Sequence, residues 1–196
     1  MKSAEELSLD FQTPPEVCRY MVSLLPAGTR TVLEPTPGIG NILAELSAFK
    51  VTAPQDYFEL DKSLLFDAVV MNPPFSGSSL KNIPDGWARL DKKGKAGMKA
   101  GYQILLECMR KSNTIIALMP WFTISDSDVR LRFLKRFGIK SITALPRKTF
   151  QYARIQTCVI HLELGYEGKT EFRVFDFIEK IKSKEQKLQT ELFEIL

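Results

Sequence analysis

Histidine is nearly absent from this sequence: the one copy in 196 residues is His161, inside the apolar run CVIHLEL. Acid–base catalysis built on histidine, or a histidine-ligated metal, has almost nothing to work with, and no metal site is expected. Cysteine is scarce as well. Cys18, Cys108 and Cys158 are odd in number, far apart and set among apolar neighbours, which predicts buried thiols in a reducing compartment, neither disulfides nor a metal cluster. No apolar run approaches the roughly 20 residues that a membrane-crossing helix requires. The opening MKSAEELSLDFQTPPEV carries both charge signs and no apolar core, so it does not read as a secretory leader. The expected setting is the cytoplasm, with no membrane partner. Internal repeats and low-complexity tracts are missing too.

What is present is ordinary for a folded domain. Hydrophobic residues make up 44% and charged residues 26%. The length suits one α/β domain with a real core and is short for two. A net charge of +4 and a pI near 8.9 permit a nucleic-acid partner without requiring one.

Along the chain, Pro14 and Pro15 open a helix through EVCRYMVSLL that Pro26-Ala27-Gly28 stops. TVLEP (31–35) reads as a short buried strand, followed by a tight turn at Gly38-Ile39-Gly40 and a helix through ILAELSAF that Asn41 can cap. A strand around VTAPQDYF precedes a second buried strand, FDAVVM, which ends at Asn72-Pro73-Pro74-Phe75. Residues 76–101, rich in Gly, Ser and Lys, show no hydrophobic period and read as a long loop. A helix (YQILLECMRK), a strand (TIIALMP), a helix (DVRLRFLKRFG) and a strand (IKSITALP) follow, then the strand RIQTCVIHLEL. Residues 1–164 form the expected main domain. Residues 165–196 add a strand (TEFRVFDF) and a helix with Ile178, Ile181, Leu188, Leu192 and Ile195 on one face, packed on that domain or on a partner. Strands alternating with helices predict an α/β fold with a mostly parallel sheet covered on both sides and an antiparallel strand near its C-terminal edge.

Ligands of such sheets sit at the carboxyl ends of strands, and the two oddest peptides, PTPGIGN and NPPF, both fall there. In LEPTPGIGN, Gly38 and Gly40 allow a sharp turn and close approach of a ligand, with Glu34 and Pro35 at the strand's end. The third glycine of a dinucleotide fingerprint is missing, and a plain structural turn explains the pattern about as well. Asp56 can accept from an amino group while the Tyr57 ring covers a planar ligand; Asp56 can equally cap a turn. Thr13 and the rigid Pro14-Pro15 can hold a ligand's polar end, or Thr13 can simply cap the first helix.

NPPF points to more specific chemistry. The exocyclic amino nitrogen of adenine is a poor nucleophile because its lone pair is delocalised into the ring. Two acceptors on its two hydrogens draw the nitrogen toward tetrahedral geometry and free that pair. The Asn72 side-chain oxygen and the Pro73 carbonyl can be those acceptors. Pro73 and Pro74 stiffen the backbone and bring no competing N–H, and Phe75 offers a face for an extruded base, worth about 1–3 kcal/mol per base. Taken alone, NPPF is also a common turn.

These segments, in this order, resemble the N6-adenine DNA methyltransferases whose cofactor segment precedes the catalytic one. FQTPPEV is similar to the family's N-terminal motif, LEPTPGIGN to its cofactor loop, Asp56-Tyr57 to its adenine-contacting pair and NPPF to its catalytic tetrapeptide; the likeness covers most of residues 11–164. The resemblance implies a Rossmann-like methyltransferase fold, S-adenosyl-L-methionine as cofactor and DNA as partner. It places Thr13, Pro14, Glu34, Pro35, Gly38, Gly40, Asp56, Tyr57 and Asn72 around the cofactor, with Glu34 on its methionine portion. LPRKTFQYARIQTCVIHLEL is similar to the segment that supplies a second aromatic, so Phe150 would face Phe75 across the flipped adenine; ordinary core packing of Phe150 is the alternative.

Two departures stand out. The family's extra strand and helix after the cofactor loop, with an acidic residue for the ribose hydroxyls, are missing, so the fold is expected to be shortened by one strand–helix unit. Either Asp56 takes over the ribose or the site is open on one side. After Leu164 no target-recognition domain is evident, which leaves sequence specificity weak or brought by a separate partner subunit. Lys81, Arg89, Lys92, Lys93, Lys95 and Lys99 crowd the segment after NPPF and can meet phosphates, or form a solvated loop. The rival expectations are methylation of an RNA base, methylation of a protein glutamine (disfavoured, because such relatives usually carry Tyr where Phe75 stands), and a degenerate fold kept as a binding subunit.

Overall fold

The computed structural model of the chain describes residues 12–75, 96–150 and 155–177. Helix α1 (Pro15–Ser23) leads to β1 (Thr31–Leu33), α2 (Asn41–Glu45), β2 (Lys50–Thr52), a 3₁₀ turn at Tyr57–Glu59 and β3 (Ala68–Met71). Then come α3 (Ala96–Cys108), β4 (Thr114–Pro120), α4 (Phe122–Ser125), α5 (Asp128–Phe137), β5 (Ile139–Ala144), β6 (Thr157–Glu163) and β7 (Glu171–Val174). The strands form one sheet in the order β2-β1-β3-β4-β6-β5-β7. Every pairing is parallel except those of β6, which runs antiparallel to both β4 and β5. The mostly parallel sheet with one antiparallel strand is therefore the one that the alternation of elements predicts.

Side chains of successive strand residues point to opposite faces, and here both faces are covered. Val32, Val70, Ile116, Leu118 and Val159 join Val17, Cys18 and Met21 of α1 and Ile42 of α2 in one cluster. Leu33, Val69, Met71, Ile115, Ala117, Met119, Cys158, Ile160 and Leu162 join Ile104, Leu105 and Cys108 of α3 and Leu134 and Phe137 of α5 in the other. All seven residues of β4 are buried, as expected of a central strand between two helical layers.

The shortening is visible in the topology. Between Thr52 and Ala68 the described chain makes one 3₁₀ turn and no strand–helix unit, which leaves β2 at the sheet edge. Lys111, only 6% exposed, braces this connection by donating from Nζ to the carbonyls of Asp61 and Lys62 at 3.1 and 3.2 Å. From β1 the chain moves to one side to form β2, then crosses to β3 on the other side. The carboxyl ends of β1 and β3 thus flank a topological switch point, where open α/β sheets bind ligands.

Several boundaries differ from the expected ones. Helix α3 starts at Ala96, inside the stretch 76–101 expected to be loop; Ala100 is buried and Gly101 meets the prolines, both too small to register as a hydrophobic period. Helix α2 ends at Glu45, and Gly40, not Asn41, is its N-cap. The expected strand VTAPQDYF pairs only over Lys50–Thr52, because the Asp56 side chain takes the Phe58 N–H at 3.0 Å and starts the 3₁₀ turn instead. Helix α4 was not expected. The face formed by Ile178, Ile181, Leu188, Leu192 and Ile195 lies outside the described residues.

Candidate active site

Strand β1 delivers Glu34 and Pro35, both buried, into the turn that precedes α2. Gly38 and Gly40 adopt φ of 56° and 92°, left-handed conformations that other residues adopt only at a cost. The Gln12 amide fills the space that a Cβ on Gly38 would take, with Oε1 3.0 Å from that position. The Ile39 N–H points to the same oxygen at 3.5 Å.

Glu34 is fully buried. Its Oε1 accepts from the Thr36 N–H at 3.0 Å, whereas Oε2 is buried with no hydrogen-bond partner. Burial pushes its pKa up to about 8, against the opposing pull of the Thr36 N–H. A carboxyl held in this way has one buried oxygen short of a partner, and a cation placed against it would favour its ionised form.

Strand β3 delivers Asn72 immediately after Met71. The Thr36 hydroxyl donates to the Asn72 backbone carbonyl at 3.3 Å, so the tips of β1 and β3 are tied across the switch point. The Asn72 amide Nδ2 donates to Thr13 Oγ1 at 3.0 Å, and Thr13 is 2% exposed. The Thr13 carbonyl in turn accepts from Asn41 Nδ2 at 2.9 Å and from the Cys18 thiol at 3.5 Å. Thr13 is therefore not the cap of α1. Pro14 holds the N-cap position, Pro15 the first turn, and the threonine hydroxyl is engaged on Asn72 instead. Burial pushes the Cys18 thiol up to about 12, so this cysteine beside the site is no thiolate nucleophile at neutral pH.

The prolines meet α3 directly. A Cβ on Gly101 would stand 3.0 Å from the Pro74 carbonyl oxygen and 3.4 Å from Pro73 Cγ, a gap that only glycine's hydrogen fills comfortably. Phe75, half-buried, packs against the cluster that contains Phe150, and Phe150 is 3% exposed. The fold thus brings both aromatic residues to one cluster, with Phe150 buried in it.

The other expected residues are placed differently from one another. Asp56 is half-buried at the start of the 3₁₀ turn, which its side chain caps. The Tyr57 ring, 8% exposed, belongs to the cluster on the α3 side, where burial raises its hydroxyl pKa. Lys99 lies on α3, not in a loop. Lys81, Arg89, Lys92, Lys93 and Lys95 lie outside the described residues. Gln12, Thr36 and Gly101 were not singled out by sequence reasoning. For Thr36 and Gly101 no local signal exists, since their partners are tens of residues away; Gln12 was within reach as part of FQTPPEV. A cavity of about 540 Å³ lies elsewhere, lined by Gly28, Asp67, Arg110 and Asn113 at the amino ends of the strands, away from the switch point.

No protein-family model matches the chain, and no curated protein matches it in sequence. Solved structures do match in fold. A Streptococcus thermophilus methyltransferase subunit of a type I restriction-modification system aligns with a TM-score of 0.63 at 20% identity, covering 86% of this chain and 49% of that one. A Vibrio vulnificus protein described as a modification subunit of a type I restriction enzyme gives 0.62 at 20% identity, over 86% and 48%. A Listeria monocytogenes protein described as a class I S-adenosylmethionine-dependent methyltransferase gives 0.60 at 17% identity, over 84% and 65%. The chain spans about half the length of the two type I subunits. The fold is that of class I S-adenosylmethionine-dependent methyltransferases, a mixed α/β sheet of seven strands.

Proposed function

We propose that this chain transfers a methyl group from S-adenosylmethionine to the exocyclic N6 amino group of adenine in DNA, with the base flipped out of the helix into the Asn72–Phe75 site. One observation carries the reading: Asn72-Pro73-Pro74-Phe75 stands at the switch point, tied through Thr36 to the tip that bears Glu34 and through Thr13 to the start of α1. The residues present fit the cofactor. The buried Glu34 oxygen without a partner suits the ammonium group of the methionine portion, a cation that would favour the ionised carboxylate and donate to it. The turn leaves a Cβ-free approach at Gly40, while the Gln12 amide lies against Gly38; Pro35 stiffens its entry, and Thr13 and Pro14 border it. Asp56 would meet the adenosine end, and the buried Tyr57 anchors the turn that carries it.

When bound, the cofactor supplies a methyl group on a sulfonium, an electrophile that needs no further activation. The chain's own residues present the nucleophile. The Asn72 side-chain oxygen and the Pro73 carbonyl accept from the two N6 hydrogens and localise the nitrogen lone pair, and Phe75 stacks on the base. Phe150 supports that stack from the same cluster. After transfer the methylated nitrogen loses one proton to solvent, so no strong general base is required. Catalysis comes from positioning and exclusion of water.

Sequence specificity is assigned to a partner. The chain aligns with about half of the type I modification subunits, and a separate segment or subunit that chooses the site is part of the proposal. Lys81, Arg89, Lys92, Lys93, Lys95 and Lys99 would contact phosphates beside it.

Tritiated methyl transfer to plasmid DNA, followed by nucleoside analysis, tests the proposal. Label should appear in N6-methyldeoxyadenosine, disappear in Asn72→Ala with cofactor binding retained, and weaken less severely in Phe75→Ala. Label on cytosine or only on RNA would overturn it, as would wild-type turnover by Asn72→Ala. The shortened β2–β3 connection favours a second reading, a binding subunit without activity. Titration calorimetry that shows no heat with S-adenosylmethionine, alone and with DNA, would support that one.

A further inference from the structure

The exposed cations of the described residues are unevenly placed. Arg30 and Lys50 lie at the amino ends of β1 and β2, and Lys135 and Arg136 lie in the last turn of α5, just before β5 begins. Arg19, Arg110, Lys140 and Arg173 are paired with carboxylates. Arg147 and Lys148 are exposed, lack a carboxylate partner among the described residues and follow the carboxyl end of β5.

Both β4 and β5 run antiparallel to β6, so β5 is parallel to β4 and ends on the same side of the sheet as β3. The register makes the level explicit. Met71 pairs with Ala117, Met119 with Cys158, and Cys158 with Ala144, so Ala144 stands level with Pro73. Arg147 and Lys148 therefore project just beyond the height of the Asn72–Phe75 tip. They stand three strand spacings to its side, about 14 Å.

The turn that carries them is braced at both ends. The Thr149 N–H and hydroxyl both donate to the Pro146 carbonyl, at 2.9 and 2.6 Å. The Leu145 N–H donates to the Thr157 carbonyl at 3.0 Å, and Gln156 Nε2 donates to the Leu145 carbonyl at 2.5 Å. Arg147 and Lys148 occupy the two central positions, exposed and with no carboxylate partner among the described residues. The next residue but one is Phe150, buried in the cluster on which Phe75 packs.

We propose that Arg147 and Lys148 form a phosphate clamp that grips the DNA backbone beside the adenine presented to Asn72–Phe75. This rests on the adenine reading above and adds the backbone contact to it. Two cations on a stiff turn, level with the tip and beside an aromatic cluster, suit phosphates flanking an extruded nucleotide. Such contacts position the duplex and carry no sequence information.

The test is salt-dependent binding of a short fluorescein-labelled DNA duplex. Each neutralised phosphate contributes about 0.9 to the slope of log affinity against log salt. The double variant Arg147→Ala/Lys148→Ala should lower that slope by about 2 and raise the KM for DNA about tenfold, with cofactor affinity and melting temperature unchanged. The charge-preserving pair Arg147→Lys/Lys148→Arg should keep the wild-type slope. Lys135→Ala/Arg136→Ala, which removes equal charge at the far end, should leave it unaltered. The clamp is overturned if the first double variant keeps the full slope, if the far-end variant loses as much, or if the loss is seen on single-stranded RNA and not on duplex DNA. The slope is read without turnover, so a protein that transfers nothing to adenine yet loses slope in the first variant refutes the adenine reading and supports the clamp.

Discussion

Replacing Gly101 with alanine measures how tightly α3 is pressed against the two prolines. The new Cβ would stand 3.0 Å from the Pro74 carbonyl oxygen and 3.4 and 3.7 Å from Pro73 Cγ and Cβ. The contact with the Pro74 oxygen is a few tenths of an ångström too close for comfort, and that with Pro73 Cγ is at the limit. The helix cannot retreat to relieve them, because Ile104, Leu105 and Cys108 on the same element are fully buried. The tip must give instead. Gly→Ala in a helix interior ordinarily stabilises by about 1 kcal/mol, whereas added bulk in a packed site costs about 1–3 kcal/mol. The net expectation is a loss of up to about 2 kcal/mol, and a larger loss for Gly101→Val. A misplacement of about 1 Å at a reacting centre can cost about a hundredfold in rate, so the smaller shift from alanine should lower transfer about tenfold. Urea unfolding gives the first quantity. Single-turnover methyl transfer at saturating cofactor gives the second, with cofactor affinity unchanged. An alanine variant about 1 kcal/mol more stable than wild type, with full transfer, would show that the helix and the prolines are not in tight contact and refute the reasoning.

Other perturbations follow from the same geometry. Glu34 has its pKa raised to about 8 from an ordinary 4.5, so between those values the native chain binds more protons than the unfolded one and stability falls as pH rises. His161 is pushed down to about 4 from 6.5, chiefly by burial and then by Lys140, and gives the opposite slope below pH 6.5. The clean window is therefore pH 6.5 to 8, where the urea midpoint should fall with pH in wild type and flatten in Glu34→Gln; an unchanged slope in the variant would contradict the assignment. Thr13→Val removes the acceptor of the Asn72 amide while keeping its bulk. Loss of that hydrogen bond costs about 0.5–1.5 kcal/mol, and transfer at saturating cofactor should drop about tenfold; equal transfer rates in single-turnover assays would deny Thr13 an orienting role. Lys111→Met leaves the carbonyls of Asp61 and Lys62 without their donor, so amide exchange across residues 60–66 should quicken while the rest of the sheet stays protected.

Much of this molecule was legible in its sequence because the signals were local. The turn at Gly38 and Gly40 needs backbone conformations that only particular residues adopt readily, and NPPF is a backbone geometry written by two consecutive prolines. Buried runs such as TIIALMP announce central strands, and their alternation with helices dictated a mostly parallel sheet. The shortened connection after β2 could be counted off directly. Where two local explanations competed, the letters did not choose between them. The Asp56 side chain caps a turn, Tyr57 is buried on the α3 side of the sheet, and Thr13, a plausible helix cap, holds Asn72 instead.

What the sequence by itself determined is the inventory: which peptides lie at strand ends and which side chains they bring there. Only the tertiary structure decided who meets whom. Thr13 and Asn72, Thr36 and Asn72, and Gly101 and Pro74 are separated by 59, 36 and 27 residues along the chain, respectively. Ala144 comes level with Pro73 solely through the register of β4, β6 and β5. The physical reason is that backbone preference is a property of neighbours in sequence. Contact between strand tips follows instead from strand order and register, set by burying both faces of one sheet at once.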